Sequence, residues 1–325
     1  MFYVSRFRNV ERREYDCEVV TPLFLGGADP KEAELRVPSI KGALRFWWRA
    51  LYGENNTRNM AEREAEIFGS TEKKAVLSVT IENIDTQPIL ENLPPGKMVL
   101  VEGKTYKASI INYLAYGLFE LRQGKSVYVR KHIAPCTHFK LTISHPKTVA
   151  PEIDAALQAM ISFGGQGARS RNGFGSLHCA ALIDHTVVEE AGLKNFTSFS
   201  TEAKLFNTFH PKTKWEDALS EIGEIYRSAR LKLDKRHDWK HRRFVSVPLD
   251  VKSPTTPPHI KNGRHAKPYF LHVNKTENGQ YRGQILFLPY AYKAKPSDKT
   301  DQSAEYLAVC RKMNEEIIRG MGGVQ

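Results

Sequence analysis

Along the first half of the chain, apolar and polar positions change period in a readable order. Tyr15, Cys17, Val19 and Thr21 alternate with Glu14, Asp16 and Glu18, the period-two pattern of a strand with one buried face. Ser39 is placed to cap a helix that runs to Tyr52, and Gly53 supplies its stop. A second helical stretch, AEREAEIFGS, follows a polar loop. Alternation resumes at Ala75, Leu77, Val79 and Ile81, and again at Phe139, Leu141 and Ile143. Between these two strands lies a long insertion, about residues 85–130, that contains Pro94-Pro95-Gly96. Pro151 opens a helix in which Ile153, Ala156, Leu157, Met160 and Ile161 recur at helical spacing, and Leu177 to Ile183 reads as a fourth strand.

In the second half, Trp215, Leu219, Ile222, Tyr226 and Leu233 mark one face of a long helix. RFVSVPLDV, PYFLHVNK and GQILFLPYAY read as strands, the last two joined by a turn at Glu277-Asn278-Gly279. A final helix presents Tyr306, Cys310, Met313 and Ile317 and ends near Gly320. A proline-rich basic segment, residues 252–268, is too long for a mere connection. The first-half order is strand, helix, two strands, helix, strand, the ferredoxin-like arrangement that RNA-recognition domains also use. The expected fold is therefore α+β, with a ferredoxin-like domain over residues 1–187 and a second, degenerate copy over 188–325.

The helix SIKGALRFWWRALY carries the most information. At 100° per residue Ile40, Leu44, Trp47 and Leu51 fall together as a core face, with Ala43 beside them. The opposite flank carries Trp48, Lys41, Tyr52, Arg45 and Arg49, so cations that meet phosphates alternate with rings that stack on bases. Equally, Trp48 could pack beneath a neighbouring loop and leave the cations to solvent. The segment GGQGARSRNGFGS, residues 164–176, adds a second candidate. Its glycines, Gly164, Gly165 and Gly167 first, let backbone N–H groups approach an anion, while Arg169 and Arg171 offer bidentate phosphate contacts and Ser170 a hydroxyl. A third basic run, residues 227–243, holds eight Lys/Arg against two Asp. Within it, His237 and His241 would share a helix face, yet no third ligand stands at metal-binding spacing.

Charge reinforces this picture. The formal net charge of +12 draws polyanions by Coulomb attraction and counterion release, and a hydrophobic fraction of 41% is enough for a packed core. Four dispersed cysteines, Cys17, Cys136, Cys179 and Cys310, form no CxxC pair. With no apolar run of signal or membrane length, they suggest a cytoplasmic protein without disulfides, metal or membrane contact. No Walker loop, HExxH or nucleophile elbow is present, although metal-independent RNA cleavage needs only a positioned histidine, for which His132, His138 and His265 are the candidates.

Two stretches resemble a known family. TPLFLGGAD, followed by LRVPSIKGALRFWWRAL and AEIFGS, closely resembles the N-terminal signature of the RAMP superfamily, in particular its type III-B CRISPR Cmr first-subunit family; GGQGARSRNGFGS matches the superfamily's glycine-rich loop. RHAKPYFLHVNKTENGQYRGQILFLP resembles the family's second-domain turn and hairpin, with Lys267 before Pro268 where a small polar residue is expected. The resemblance implies two ferredoxin-like domains and a non-catalytic subunit, without cofactor, near the CRISPR RNA 3′ end of a ribonucleoprotein. There it would help capture complementary target RNA beside other Cmr subunits. Carried over by position, Lys41, Arg45, Trp48, Arg49, Gly164, Gly165, Gly167, Arg169 and Arg171 take the RNA-contacting role. Two other readings stay open: a metal-independent endoribonuclease that processes CRISPR RNA, and a mainly structural adaptor.

Overall fold

The computed structural model describes residues 9–29, 31–101, 105–184, 192–235, 238–247, 260, 265–293 and 301–322. The first half begins β1 (Val10–Val19), α1 (Val37–Tyr52), α2 (Thr57–Phe68) and β2 (Ser78–Glu82). An inserted group follows: β3 (Met98–Leu100), β4 (Lys107–Ser109), α3 (Ile110–Leu114), β5 (Phe119–Arg122) and β6 (Lys125–Tyr128). Then come β7 (His138–Pro146), α4 (Ala150–Phe163) and β8 (Leu177–His178). The second half supplies β9 (Lys204–Phe206), α5 (Trp215–Leu231), β10 (Tyr269–Lys275), β11 (Tyr281–Phe287) and α6 (Ser303–Gly322).

The alternating segments make an antiparallel sheet in the order β2-β7-β1-β8. Its register sets Tyr15 opposite Leu141 and Cys17 opposite Phe139, so the apolar positions of both strands share the face covered by α1 and α4. A one-residue slip would turn all of them to water, so the pattern fixes the pairing. The fourth strand is shorter than the alternation suggests. It stops at His178, and Ala180–Leu182 winds into a 3-10 turn that buries Leu182. In the second half β11 lies between β10 and β9. The turn at Glu277-Asn278-Gly279 forms as expected, with Gly279 at φ 72°. The described residues of RFVSVPLDV, 243–247, form no strand: Arg242–Phe244 is a 3-10 turn whose Phe244 is buried, and residues 248–251 lie outside the described residues.

Two large hydrophobic clusters result, and each draws on both halves. Phe270, Leu286 and Leu288 join the cluster under the first sheet, while Val20, Phe24 and Phe174 join the cluster around α5 and α6. The inserted group also packs against the second half. Ile110 and Leu114 of α3 press so closely on Gly223 of α5 that a Cβ there would lie 2.7 Å from each side chain. The expected boundary at 187/188 lies outside the described residues, as do most of residues 252–268. Among the described residues no helix is long and apolar enough to cross a membrane.

Trp48 belongs to this core, not to an exposed flank. Its ring is 1% exposed and packs edge-on to Phe68 of α2, centroids 6.0 Å apart, and its indole N–H donates to Glu152 Oε2 at 2.8 Å. The helical wheel had opened that flank because it cannot show that α2 folds back over it. Trp48→Ala should therefore cost about 3–5 kcal/mol in denaturant unfolding. A loss below about 0.5 kcal/mol would return the ring to the surface.

Candidate nucleic-acid interface

The flank of α1 beyond Trp48 is held by α2. Arg49 grips Glu64 through Nε and, at 2.7 Å, through Nη2. Arg45 reaches the same carboxylate at 3.3 Å, donates to the carbonyls of Phe68 and Gly69, and lies 5.5 Å from the Phe68 ring centroid. Burial and the neighbouring Arg45 lower the Lys41 ammonium, whose Nζ sits 3.5 Å from the Leu77 carbonyl. These three cations thus dock α2 and the loop after it, although 32% of the Arg45 and 41% of the Arg49 side chain remain exposed.

The opposite shoulder of α1 faces the glycine-rich loop across a cleft of about 380 Å³. Ser39, Ala43 and Phe46 form one wall; Gly165, Gly167, Ser170 and Arg171 form the other; Trp47 and Phe270 lie at the base. The loop can run this close because glycine permits it. Gly167 has φ 80°, and a side chain there would run into the carbonyl of Phe24. Gln166 N–H donates to Gly175 and Ala168 N–H to Phe24, which pins the loop, while the N–H groups of Gly165, Gly167 and Ser170 have no acceptor among the described residues. Backbone donors left open along a concave wall make an anion-binding surface.

Arg171 supplies the charge of that wall. Its guanidinium lies 5.4 Å from the Phe46 centroid and 4.5 Å from that of Phe270, and Nη1 donates to the Lys267 carbonyl. Lys267 reciprocates, with Nζ 3.0 Å from the Arg171 carbonyl and 2.8 Å from Asn172 Oδ1, above the ring of Tyr226. Burial lowers Arg171 to about 10, which leaves it charged at neutral pH. Arg169 points away from the cleft, at φ 62°, with its guanidinium against Gly117. Gly164 ends α4 by donating to Met160 and accepts from His272 Nδ1 at 2.6 Å.

Helix and loop therefore meet, but the meeting runs through Ser39, Ala43 and Phe46, not through Lys41, Arg45, Trp48 and Arg49. Phe46 and Phe270 escaped the sequence reading because single aromatics next to core positions carry no distinguishing period. Lys267, marked only as a departure before Pro268, was the available clue. Among the described residues no histidine lines the cleft. His132 is buried against Phe24 and lowered to about 4 by that burial; His138 lies by Asp85; His265 contacts the Arg243 carbonyl at 2.6 Å. His241 pairs with Asp234 beyond the end of α5, and His237 lies outside the described residues. Among the described residues no three His, Cys, Asp or Glu side chains gather at metal-binding distance.

Comparison with known proteins gives a consistent setting. Residues 16–178 match the family model of the RAMP superfamily. A CRISPR system Cmr subunit, Cmr1-2 of Pyrococcus furiosus, is 32% identical over 184 residues, covering 52% of this chain and 95% of the relative. Cmr1-1 of the same organism is 28% identical over 217 residues, 65% of this chain and 58% of that protein. The crystal structure of apo Cmr1 from Pyrococcus furiosus superposes with a TM-score of 0.54 over 93% of this chain and 97% of that one, at 17% identity, so the fold is shared.

The Lys267 ammonium yields a pH test. Burial, and then Arg171, Arg230 and Arg169, push it well below its ordinary 10.5. Between that lowered value and 10.5 the unfolded chain holds a proton that the folded chain lacks, so stability rises with pH through this window. In Lys267→Met the rise in melting temperature from neutral to alkaline pH should flatten. An unchanged slope would mean that the ammonium is solvated.

Proposed function

Because the chain belongs to the RAMP superfamily, with Cmr1 subunits of a CRISPR Cmr system among its relatives, we propose that it is an RNA-binding subunit of a type III-B CRISPR effector. In this reading it is non-catalytic and cytoplasmic. It sits near the 3′ end of the CRISPR RNA beside other Cmr subunits and helps capture complementary target RNA. The strand order β2-β7-β1-β8 with α1 and α4 on one face supports a ferredoxin-like first domain, residues 1–187. We assign residues 188–325, with β9 to β11, α5 and α6, to a degenerate second copy.

The cleft between α1 and the glycine-rich loop is the observation that carries this reading. It offers a permanent cation, Arg171, open N–H groups of Gly165, Gly167 and Ser170, and the rings of Phe46 and Phe270 in one concave surface. A phosphate needs such donors and a base or ribose needs the apolar wall. Lys41, Arg45 and Arg49 contribute long-range attraction from the neighbouring flank, through the parts of their side chains that Glu64 and α2 leave exposed.

Ala43, half-buried on the cleft wall, gives a test in which the sign of the effect matters. Ala43→Glu should weaken single-stranded RNA binding, read by fluorescence anisotropy, by about tenfold or more at low salt. Ala43→Lys should hold or tighten it, and both should melt near wild type. Equal affinities in all three proteins would remove RNA from the cleft. Incubation of the purified chain with repeat RNA in EDTA separates the enzymatic reading: discrete products that vanish on replacing one histidine would make the chain a ribonuclease.

A further inference from the structure

Basic side chains without a carboxylate partner lead from the cleft toward the inserted group: Arg171, Arg169 and Arg130, with the buried Lys267 behind them. Lys267 lies within electrostatic reach of Arg171, Arg230 and Arg169, and Arg169 of Arg130. No carboxylate among the described residues acts on Arg169, Arg171 or Lys267. The neighbours in sequence behave differently: Arg122 pairs with Glu120, and Lys131 with Glu32 at 2.9 Å. Like charges left together without a counter-charge repel, so the folded chain holds this row at a cost that an arriving polyanion relieves.

Tyr116 stands at the outer end of the row. It follows α3, its residue is 73% exposed, and its hydroxyl lies within electrostatic reach of Arg169. Two backbone features bring the arginine beside it. Gly117, at φ 87°, has no Cβ, and one there would lie 2.9 Å from Arg169 Nη2. Arg169 itself adopts φ 62°, a left-handed conformation that residues with a Cβ seldom take. An exposed ring beside the Arg169 guanidinium, with Arg130 within electrostatic reach of that arginine, suits a stacked base with its phosphates nearby. An acidic peptide would neutralise the arginines but would leave the ring without a flat partner.

We propose that single-stranded RNA leaving the cleft passes Arg171, lays successive phosphates on Arg169 and Arg130, and stacks one base on Tyr116. This rests on the cleft reading but adds a separate subsite contributed by the inserted group. Stacking requires no particular base, so the subsite binds any sequence.

The test measures the anisotropy of a labelled single-stranded RNA with the purified chain, in wild type, Tyr116→Ala, Tyr116→Phe and Arg130→Ala/Arg169→Ala. Tyr116→Ala should weaken binding by roughly fivefold to a hundredfold, and Tyr116→Phe should restore it, as expected for base–aromatic stacking. The double arginine variant should lower the slope of log affinity against log salt by about one for each phosphate that it no longer neutralises. An RNA with an abasic site at the stacked nucleotide should weaken wild type but not Tyr116→Ala. Circular dichroism checks that the variants fold. If wild type binds and Tyr116→Ala binds equally well, the inference is overturned and the cleft reading stands. If wild type does not bind RNA at all, both fall. If Tyr116→Ala keeps RNA affinity but fails to assemble with other Cmr subunits, the patch is a protein interface and the inference is again overturned.

Discussion

The reciprocal clamp between Arg171 and Lys267 is the interaction on which the site depends. Each side chain donates to the other's backbone carbonyl, and the Arg171 guanidinium is held between a ring of α1 and a ring of β10. One residue of the glycine-rich loop therefore fixes three things at once: the distance from loop to helix, the seat of the β10–β11 hairpin, and the position of a buried positive charge. Cation–π contacts of this kind contribute about 0.5–2 kcal/mol each, more where water is excluded. Their geometric effect matters as much, because lysine could not fill the same space with a planar, always-charged group.

Sharing residues between the two hydrophobic clusters extends that constraint. Phe270 belongs to the cluster under the first sheet, whereas Phe174 within the glycine-rich loop and Phe24, against which the loop packs, belong to the other. The cleft lies where the clusters interlock, so its walls cannot shift without disturbing packing on both sides. A rigid concave surface loses little conformational freedom when a flexible strand is ordered on it.

Much of this was legible in the residues. Period-two alternation located β1, β2 and β7, apolar runs joined by the Glu277-Asn278-Gly279 turn located β10 and β11, and helical spacing located α1, α4, α5 and α6. The fourth strand was over-extended, since Leu177 to Ile183 is apolar enough for either a strand or a buried turn. Three-residue β9 was missed because it is too short to show a period. At the site, the glycines of the loop do run close against Phe24 and Phe174, and the side of α1 that faces the loop carries Ser39, Ala43 and Phe46, whereas the flank with Lys41, Arg45 and Arg49 lies against α2. The wheel sorted Lys41, Arg45 and Arg49 away from the core, and only the path of α2 reveals that Glu64 meets the two arginines there. Tertiary cover of a polar flank leaves no trace in the periodicity of the covered helix.

Gly167 and Tyr116 define opposite extremes of mutational freedom. A side chain at Gly167 would meet the backbone of Phe24, which cannot repack, and any substitution there carries the strain of a left-handed conformation. At Tyr116 most of the side chain meets only solvent. Packing therefore closes the centre of the cleft to substitution, whereas at Tyr116 the fold sets no such limit and any constraint must come from what the ring binds.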